Sequence, residues 1–211
     1  MSTQKSNSHN ELPGATRVEA FSDGVLAIVI TLLVLEIKVP HLESTQNINT
    51  SLSALLNLTP KFLGYFLSFF FIAVFWVNHH RFFRLIKQVD NGLLWLNNLL
   101  LLSLSFTPFP TAWIGEYPSD AVGLILFSFV LTLAGIVFNI MWRHANHAKL
   151  FHNTVDQRVI LQAQKIGLLG PIIYFIAGIF SFILPLLTWI LFFVVPIIYA
   201  FPQKENKESV L

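Results

Sequence analysis

Four stretches of this chain are strongly apolar and carry no charged residue, and they limit what the chain can fold into. They contain 19, 25, 22 and 38 residues without Asp, Glu, Lys or Arg, and lie between charged positions 61 and 81, 90 and 116, 120 and 143, and 165 and 204. A helix needs about 20 mainly apolar residues to cross the hydrocarbon core of a membrane. The first three stretches therefore predict one span each. The fourth predicts two spans with a turn near Leu184-Pro185, because proline is poorly tolerated inside a helix.

Composition excludes several classes of protein. Charged residues make up 11% of the 211 residues, whereas soluble domains carry about a quarter, so a soluble enzyme or a disordered chain does not fit. The net charge of +2 is too small to indicate a nucleic-acid partner. The lack of cysteine excludes disulfides, thiol catalysis and thiolate metal sites. Since the sequence has no phosphate-binding glycine loop, HExxH helix or nucleophile elbow, we predict no enzymatic activity, no metal and no cofactor.

The first apolar segment differs from the others, because only the 12 residues at 24–35 separate Asp23 from Glu36. That length also suits the core of a secretory signal peptide, but residues 36–40 contain no small-x-small cleavage site and Asp23 adjoins the apolar run. Residues 19–39 are long enough to cross a membrane at a rise of about 1.5 Å per residue. A span with ionisable groups this deep is more stable surrounded by protein than by lipid. We therefore expect the first helix to lie at the centre of the structure.

These segments predict an all-α membrane protein with six transmembrane helices. The expected organisation is a tail at 1–16, a membrane domain at 17–201 and a tail at 202–211. The expected spans are about 18–39, 60–80, 91–112, 120–142, 165–184 and 186–201. Residues 41–59 form the longest loop on one side, and residues 51–58 within it have the composition of a short interfacial helix.

Lysine and arginine are distributed very unequally between the two predicted membrane faces. Eleven lie on one face and two, Lys38 and Lys61, lie on the other. Because cytoplasmic loops carry the excess of these residues, we expect a multi-pass protein of the cell membrane with both termini in the cytoplasm. Glu36 at the outer end of the first span would concentrate cations there, although Lys38 opposes it. That Glu36 and Lys38 pair with each other, or lie in the loop, is an equally good interpretation.

Helical periodicity gives the first span an apolar stripe. At about 100° per residue, Thr31 lies at the margin of a face formed by Phe21, Gly24, Ile28, Leu32 and Leu35. Asp23 falls almost opposite this stripe, and Ser22 also falls off it. The stripe suits contact with lipid or a neighbouring helix. If copies of the chain surround an axis, it would instead form apolar rings, which gate or filter ions by dewetting. Spacing alone does not decide between these interpretations.

A second group of polar residues ends the second span: Trp76, Asn78, His79 and His80. It lies at the same predicted depth as Ser22 and Asp23, and its side chains are able to hydrogen-bond them across helices. Adjacent histidines point about 100° apart on a helix, so they do not suit a single metal or catalytic site. A structural or gating network, a proton relay, catalysis and simple extension of the polar side chains toward the membrane surface stay open as interpretations. Further candidates for interhelical hydrogen bonds lie on the third span: Asn97, Asn98, Ser103 and Ser105.

Residues 17–23 read Arg-Val-Glu-Ala-Phe-Ser-Asp, an RxxxFSD pattern, and residues 78–81 read Asn-His-His-Arg. These two segments, the six predicted spans and the chain length resemble the bacterial branch of the transmembrane protein 175 family of potassium channels. The resemblance implies a homotetramer in the lipid bilayer, in which the first helices line a central pore that conducts potassium ions. It also implies weak selectivity without a carbonyl-lined TVGYG filter, a motif that this sequence lacks.

The resemblance also implies roles for individual residues. The apolar constriction of the pore corresponds to Ile28, Leu32 and Leu35. Thr31 corresponds to a threonine that contributes to selectivity in some members. The RxxxFSD motif is structural in the family, and its residues in this sequence are Arg17, Phe21, Ser22 and Asp23. Because potassium loses its hydration shell more easily than sodium does, an apolar ring would give a modest preference for potassium.

The main alternative is a proton-coupled secondary transporter that uses Asp23 with His79 or His80 as a relay. Such a transporter needs a polar cavity near the membrane midplane, whereas the sequence has no polar cluster at mid-span. An intramembrane enzyme that uses Asp23 with a histidine is a further possibility, although the sequence offers it no nucleophile or metal site. A structural membrane protein without a transport role is the last.

Overall fold

The structure, a computed structural model, describes residues 15–42 and 47–200, and these residues are almost entirely helical. The helices in the described ranges are α1 (Ala15–Leu32) and the short 3-10 helix Leu33–Glu36 that continues it, α2 (Ile48–Asn57), α3 (Thr59–Leu85), α4 (Asn91–Ser105), α5 (Pro108–Glu116), α6 (Ala121–His147), α7 (Gln157–Ile166), α8 (Leu169–Phe180) and α9 (Pro185–Ala200). Apart from residues 15 and 16, the predicted tails at 1–16 and 202–211 lie outside the described residues.

Several helical segments are long and apolar enough to cross a membrane: Ala15–Glu36, Thr59–Leu85, Asn91–Glu116, Ala121–His147 and Gln157–Phe180. A shorter apolar helix follows them at Pro185–Tyr199. The structure therefore has the all-helical architecture expected of a multi-pass membrane protein. Its described part contains 5 long spans, and the assignment of α9 as a sixth span stays a prediction.

Two helices continue past the ends that the uncharged stretches predict. α3 extends to Leu85 rather than 80, and α6 extends to His147 rather than 142. Their last turns contain arginine and histidine, and long polar side chains near the end of a span extend toward the membrane surface, so the backbone is able to stay helical past the apolar core. At the opposite end, the first span loses helical structure after Glu36 rather than at 39. Val39 precedes Pro40, and the residue before a proline disfavours the helical conformation.

The predicted third span, 91–112, is two helices, α4 and α5, because of its prolines. Pro108 is the first residue of α5 and has no N–H to continue the hydrogen-bond ladder of α4. Between the helices, the Thr107 N–H donates to the Leu104 carbonyl (3.1 Å) and the Phe109 N–H donates to the Phe106 carbonyl (3.2 Å). These bonds keep backbone polar groups paired at membrane depth, where water is not available as a partner.

The fifth span is also interrupted, and it begins at Gln157 rather than at 165. A short turn at 167–168 separates α7 from α8. The Tyr199 hydroxyl on α9 accepts a hydrogen bond from the Gly170 N–H (3.1 Å) and donates one to the Ile166 carbonyl (2.6 Å). One side chain thereby pairs backbone groups on both sides of the break. α9 begins at Pro185, where the sequence predicts a turn.

The spans pack around α6, which contacts both α4 and α8, while α3 packs against α5. α1 packs against α3 and α4. Apolar side chains gain little free energy by moving from lipid into protein, so close packing and interhelical hydrogen bonds specify this arrangement. An aromatic cluster around the fully buried Phe82 joins α3, α6 and the loop after α6: Phe83, Phe138, Trp142 and Phe151. In the single chain, one face of α1 is left uncovered.

Candidate functional site

α1 has two faces of different character. Its buried residues, which face the bundle, are Val18, Ser22, Leu26 and Val29, and Leu33 of the 3-10 helix continues the same face. On the opposite face, Ile28 is 61% exposed, and Leu35 of the 3-10 helix, which continues this face, is 66% exposed. Leu32 and Phe21 are exposed there as well, and a Cβ added at Gly24 would meet nothing within 4 Å. The predicted apolar stripe therefore coincides with the uncovered face of α1.

Thr31 lies at an exposed position beside this stripe. Its hydroxyl oxygen is 2.8 Å from the Ile28 carbonyl and 3.0 Å from the Ala27 carbonyl, both on its own helix. The helix backbone therefore engages the hydroxyl proton. On the exposed side, the Thr31 oxygen is therefore an acceptor, whose lone pairs are available to an ion or a water molecule.

Buried polar side chains join α1, α4 and α3 in series. Asn97 Nδ2 donates to Ser22 Oγ (2.9 Å), and Ser22 Oγ donates to the Val18 carbonyl (2.8 Å). Asn97 Oδ1 lies 2.8 Å from His79 Nε2. Because an amide oxygen only accepts hydrogen bonds, His79 carries its proton on Nε2. All three side-chain groups lie in residues that are at most 1% exposed, so water does not compete and the bonds fix the position of α1 against both helices.

The second ring nitrogen of His79, Nδ1, bears on whether this buried chain is able to pass on a proton. Nδ1 is buried and has no hydrogen-bond partner among the described residues. The imidazole ring lies beside Phe83, with ring centroids 4.5 Å apart. A proton added at Nδ1 would find no acceptor in this part of the structure. A proton relay through this ring would need an acceptor at Nδ1, and the described residues supply none.

Two further polar contacts join α1 to α3 at more exposed positions. Trp76 Nε1 donates to Asp23 Oδ1 (2.9 Å). His80 Nδ1 lies 2.7 Å from Glu19 Oε1. The indole and imidazole rings stack at 22° with centroids 6.3 Å apart, which holds the two α3 side chains side by side. These contacts add to the buried chain, so the N-terminal half of α1 is attached to α3 by side chains at several levels.

The structure brings most of the predicted polar residues together, with different pairings from those expected. Trp76 contacts Asp23 directly, whereas His79 reaches Ser22 only through Asn97. Asn78 donates to the carbonyl of Val74 on its own helix (2.8 Å) rather than to α1. The functional roles that the sequence predicts for these residues stay predictions.

Sequence reasoning missed Glu19, the partner of His80. Glu19 stands one helical turn before Asp23, so the two carboxylates lie on the same side of α1, and this spacing was the available signal. Arg17 and Phe21 of the RxxxFSD motif lie at exposed positions of α1. Across residues 15–42 and 47–200, no three His, Asp or Glu side chains are close enough to share a metal ion.

The fold and this site define an all-helical, multi-pass membrane protein whose first span is bonded to the bundle on one face and apolar and uncovered on the other. The family model described as the endosomal/lysosomal potassium channel TMEM175 matches residues 17–108. A potassium channel of Chamaesiphon minutus is 41% identical over 188 residues, covering 87% of this chain and 92% of the relative. A potassium channel of Chryseobacterium sp. is 32% identical over 202 residues, covering 92% of this chain and 96% of the relative.

A solved structure is similar over nearly the same length. It is the crystal structure of a Chamaesiphon minutus homologue of TMEM175, the latter described as a lysosomal potassium-selective channel. It matches with a TM-score of 0.78 and 40% identity, covering 88% of this chain and 96% of that chain. The chain therefore belongs to the TMEM175 family, which is a family of channels rather than of enzymes.

Proposed function

We propose that this chain forms a homotetrameric, potassium-permeable channel of the cell membrane with a modest preference for potassium over sodium. Four copies of α1 surround the pore, and their Ile28, Leu32 and Leu35 side chains form its apolar constriction. Thr31 contributes to selectivity beside that constriction. Both termini lie in the cytoplasm, and permeation of potassium needs no cofactor.

The uncovered stripe of α1 is the observation that carries this proposal. α1 has charged residues near both ends of its apolar core, and such a span is more stable among protein than among lipid. Its Ile28 and Leu35 are nevertheless more than half exposed in the single chain. Assembly around α1 would cover this face with other copies and place it at a central axis. The two bacterial relatives named potassium channels support potassium as the permeating ion.

The spacing of the stripe suits a layered barrier. Residues 28, 32 and 35 stack along one face, so a ring of four side chains at each level gives three layers over about 10 Å. An apolar ring offers a cation no ligands, and a narrow one excludes water until it widens. An ion that gives up its hydration more easily passes such a ring more readily, and this favours potassium over sodium.

The buried chain of Ser22, Asn97 and His79 is assigned a positioning role in this proposal. It holds α1 against α3 and α4, so that the opposite face points to the axis. The proton-coupled transporter would use Asp23 with His79 or His80. It is disfavoured, because His79 Nδ1 has no acceptor within the described ranges and His80 contacts Glu19 rather than Asp23. The exposed face of α1 also carries apolar side chains rather than the polar groups that a relay requires.

Single-channel recording of the purified protein in a planar bilayer tests the proposal. The wild-type protein is expected to give discrete potassium currents without a proton gradient. Ile28→Asn should raise the unitary conductance and move the reversal potential under potassium/sodium bi-ionic conditions toward zero, because an amide wets the constriction. The matched control is Ile136→Asn on α6, at a position that is 41% exposed and outside the proposed pore.

Two results would contradict the proposal. One is flux that requires a proton gradient in fixed stoichiometry, which indicates a transporter. The other is equal behaviour of Ile28→Asn and Ile136→Asn in assembled protein, which removes Ile28 from the pore.

A further inference from the structure

A cavity of about 350 Å³ lies at the end of the first span that faces away from the basic side of the molecule. It is formed between the 3-10 helix after α1, the first turns of α3 and the last turns of α5. Part of its wall is aromatic: Tyr65, Phe109, Trp113 and Tyr117. Its remaining surface includes the charged residues Glu36, Lys38, Lys61 and Glu116. Aromatic rings beside charged groups are typical of the membrane–water interface.

The two lysines of this cavity stand out in the charge distribution of the chain. Eleven of the 13 lysines and arginines lie on the predicted cytoplasmic side. The remaining two, Lys38 and Lys61, both line this cavity. A basic residue on the outer side runs against the usual bias of membrane proteins. Both basic residues of the predicted outer side therefore lie beside the same cavity.

The cavity holds equal numbers of positive and negative groups. Lys61 forms an ion pair with Glu116 across the α3–α5 contact. α3 and α5 approach closely here, since a Cβ on Gly115 would lie 3.2 Å from Lys61 Cα. Glu36 and Lys38 make no ion pair or side-chain hydrogen bond with another residue in the described part of the chain. Among the residues that the structure describes, one lining group of each sign is therefore without an ion-pair partner.

We propose that this cavity binds the headgroup of a zwitterionic phospholipid with a primary ammonium group, of the phosphatidylethanolamine type, from the outer leaflet. The phosphate lies against the lysines and the ammonium donates hydrogen bonds to the carboxylates, in charge-assisted contacts. The balanced charge disfavours a simple cation or anion. The aromatic wall accommodates the glycerol and the first acyl carbons. The proposal rests on the proposed orientation, with both termini in the cytoplasm, but not on conduction, because it concerns binding alone.

Native mass spectrometry of the purified protein in detergent tests this proposal. The protein is mixed with phosphatidylethanolamine, phosphatidylcholine and phosphatidylglycerol of the same acyl chains at equal concentration. The wild-type protein should retain phosphatidylethanolamine in preference to the other two. Glu36→Gln should abolish the preference over phosphatidylcholine, because it removes an acceptor for the ammonium. Lys38→Gln should weaken the binding of phosphatidylethanolamine and of phosphatidylcholine alike by about threefold, because Lys38 is exposed and an exposed charge contributes little.

The matched control is Lys87→Gln, which removes an exposed lysine on the basic side and should change nothing. A thermal unfolding scan of each variant separates loss of binding from loss of fold. Equal retention of the three lipids by the wild type would overturn the proposal, as would unchanged binding in a Glu36→Gln Lys38→Gln double variant. Preference for phosphatidylglycerol would overturn it in favour of a plain anion site. Displacement of the lipid by equimolar soluble phosphoethanolamine would overturn the assignment to a membrane lipid.

Discussion

The two halves of α1 are held in different ways. In the N-terminal half, Glu19, Ser22 and Asp23 each reach a polar side chain on α3 or α4. In the C-terminal half, the hydroxyl of Thr31 bonds to its own helix. Directional bonds therefore position the first half, whereas apolar packing of Val29, continued by Leu33 of the 3-10 helix, positions the second. Substitutions in the first half should affect folding and assembly, and substitutions on the exposed face of the second should affect permeation.

The largest effect on stability is expected for Asn97→Leu. Leucine leaves the His79 Nε2–H buried without its acceptor and removes the donor to Ser22, which should cost about 3 kcal/mol of stability. Thermal unfolding in detergent, with size-exclusion chromatography for assembly, measures this cost. The neighbouring Asn98→Leu is the matched control, because Asn98 is exposed and the change should be tolerated. Equal losses in the two variants would show that the buried chain does not anchor α1.

A second comparison is between the buried and the exposed face of the C-terminal half of α1. Val29→Asn buries an amide without a partner and should cost about 2 kcal/mol of stability. Ile28→Asn, one residue away on the exposed face, should leave the unfolding temperature nearly unchanged and alter the current instead. If Ile28→Asn destabilised the assembled protein as much as Val29→Asn does, the exposed face would have to be an ordinary packing surface.

Trp76→Phe should have a smaller effect, because it removes one partly exposed hydrogen bond to Asp23 and keeps an aromatic ring. Interhelical hydrogen bonds in membranes contribute about 0.6 kcal/mol on average. A shift of the unfolding temperature by a few degrees at most, without a change in ion selectivity, is expected. A large change in selectivity with normal assembly would instead place Asp23 in the permeation pathway.

The smallest expected effect on stability concerns Asp90, which caps the N-terminus of α4. Burial raises the pKa of its carboxyl, but hydrogen bonds from the Leu93 N–H and His144 outweigh burial and hold the pKa below its ordinary value of 3.8. A carboxyl with a lowered folded pKa stabilises the protein above its unfolded pKa and loses this effect as pH falls through the folded pKa. The stability difference between wild type and Asp90→Asn should therefore shrink below about pH 4, as measured by thermal unfolding. A difference that grows on acidification would contradict this assignment.

Much of the architecture could be predicted from the sequence, because a membrane imposes simple rules of length and charge. The uncharged stretches located the spans, and helical periodicity located the stripe of Ile28, Leu32 and Leu35 on the face that the single chain leaves uncovered. Asn97 was a candidate for an interhelical bond because an amide in an apolar span needs a partner. These features depend on local sequence alone.

The features that sequence missed depend on contacts between distant positions. α7 is polar enough that its continuity with the fifth span is not visible in the charge pattern. The backbone groups at the break after α7 are hydrogen-bonded by Tyr199, which is 29 residues from Gly170. Glu19 contacts His80, which is 61 residues away in the sequence. Which of several polar residues pair in this way is set by the packing of whole helices.

Cysteine accessibility tests the central claim, that the uncovered face of α1 lines the pore, most directly. The chain has no cysteine of its own, so Ile28→Cys, Leu32→Cys and Leu35→Cys each introduce a single thiol. A membrane-impermeant, positively charged thiol reagent applied during recording should reduce the potassium current of these variants irreversibly. The control Val29→Cys, on the buried face of the same helix, should be unaffected. Block of Val29→Cys with no effect on the three stripe positions would contradict the account.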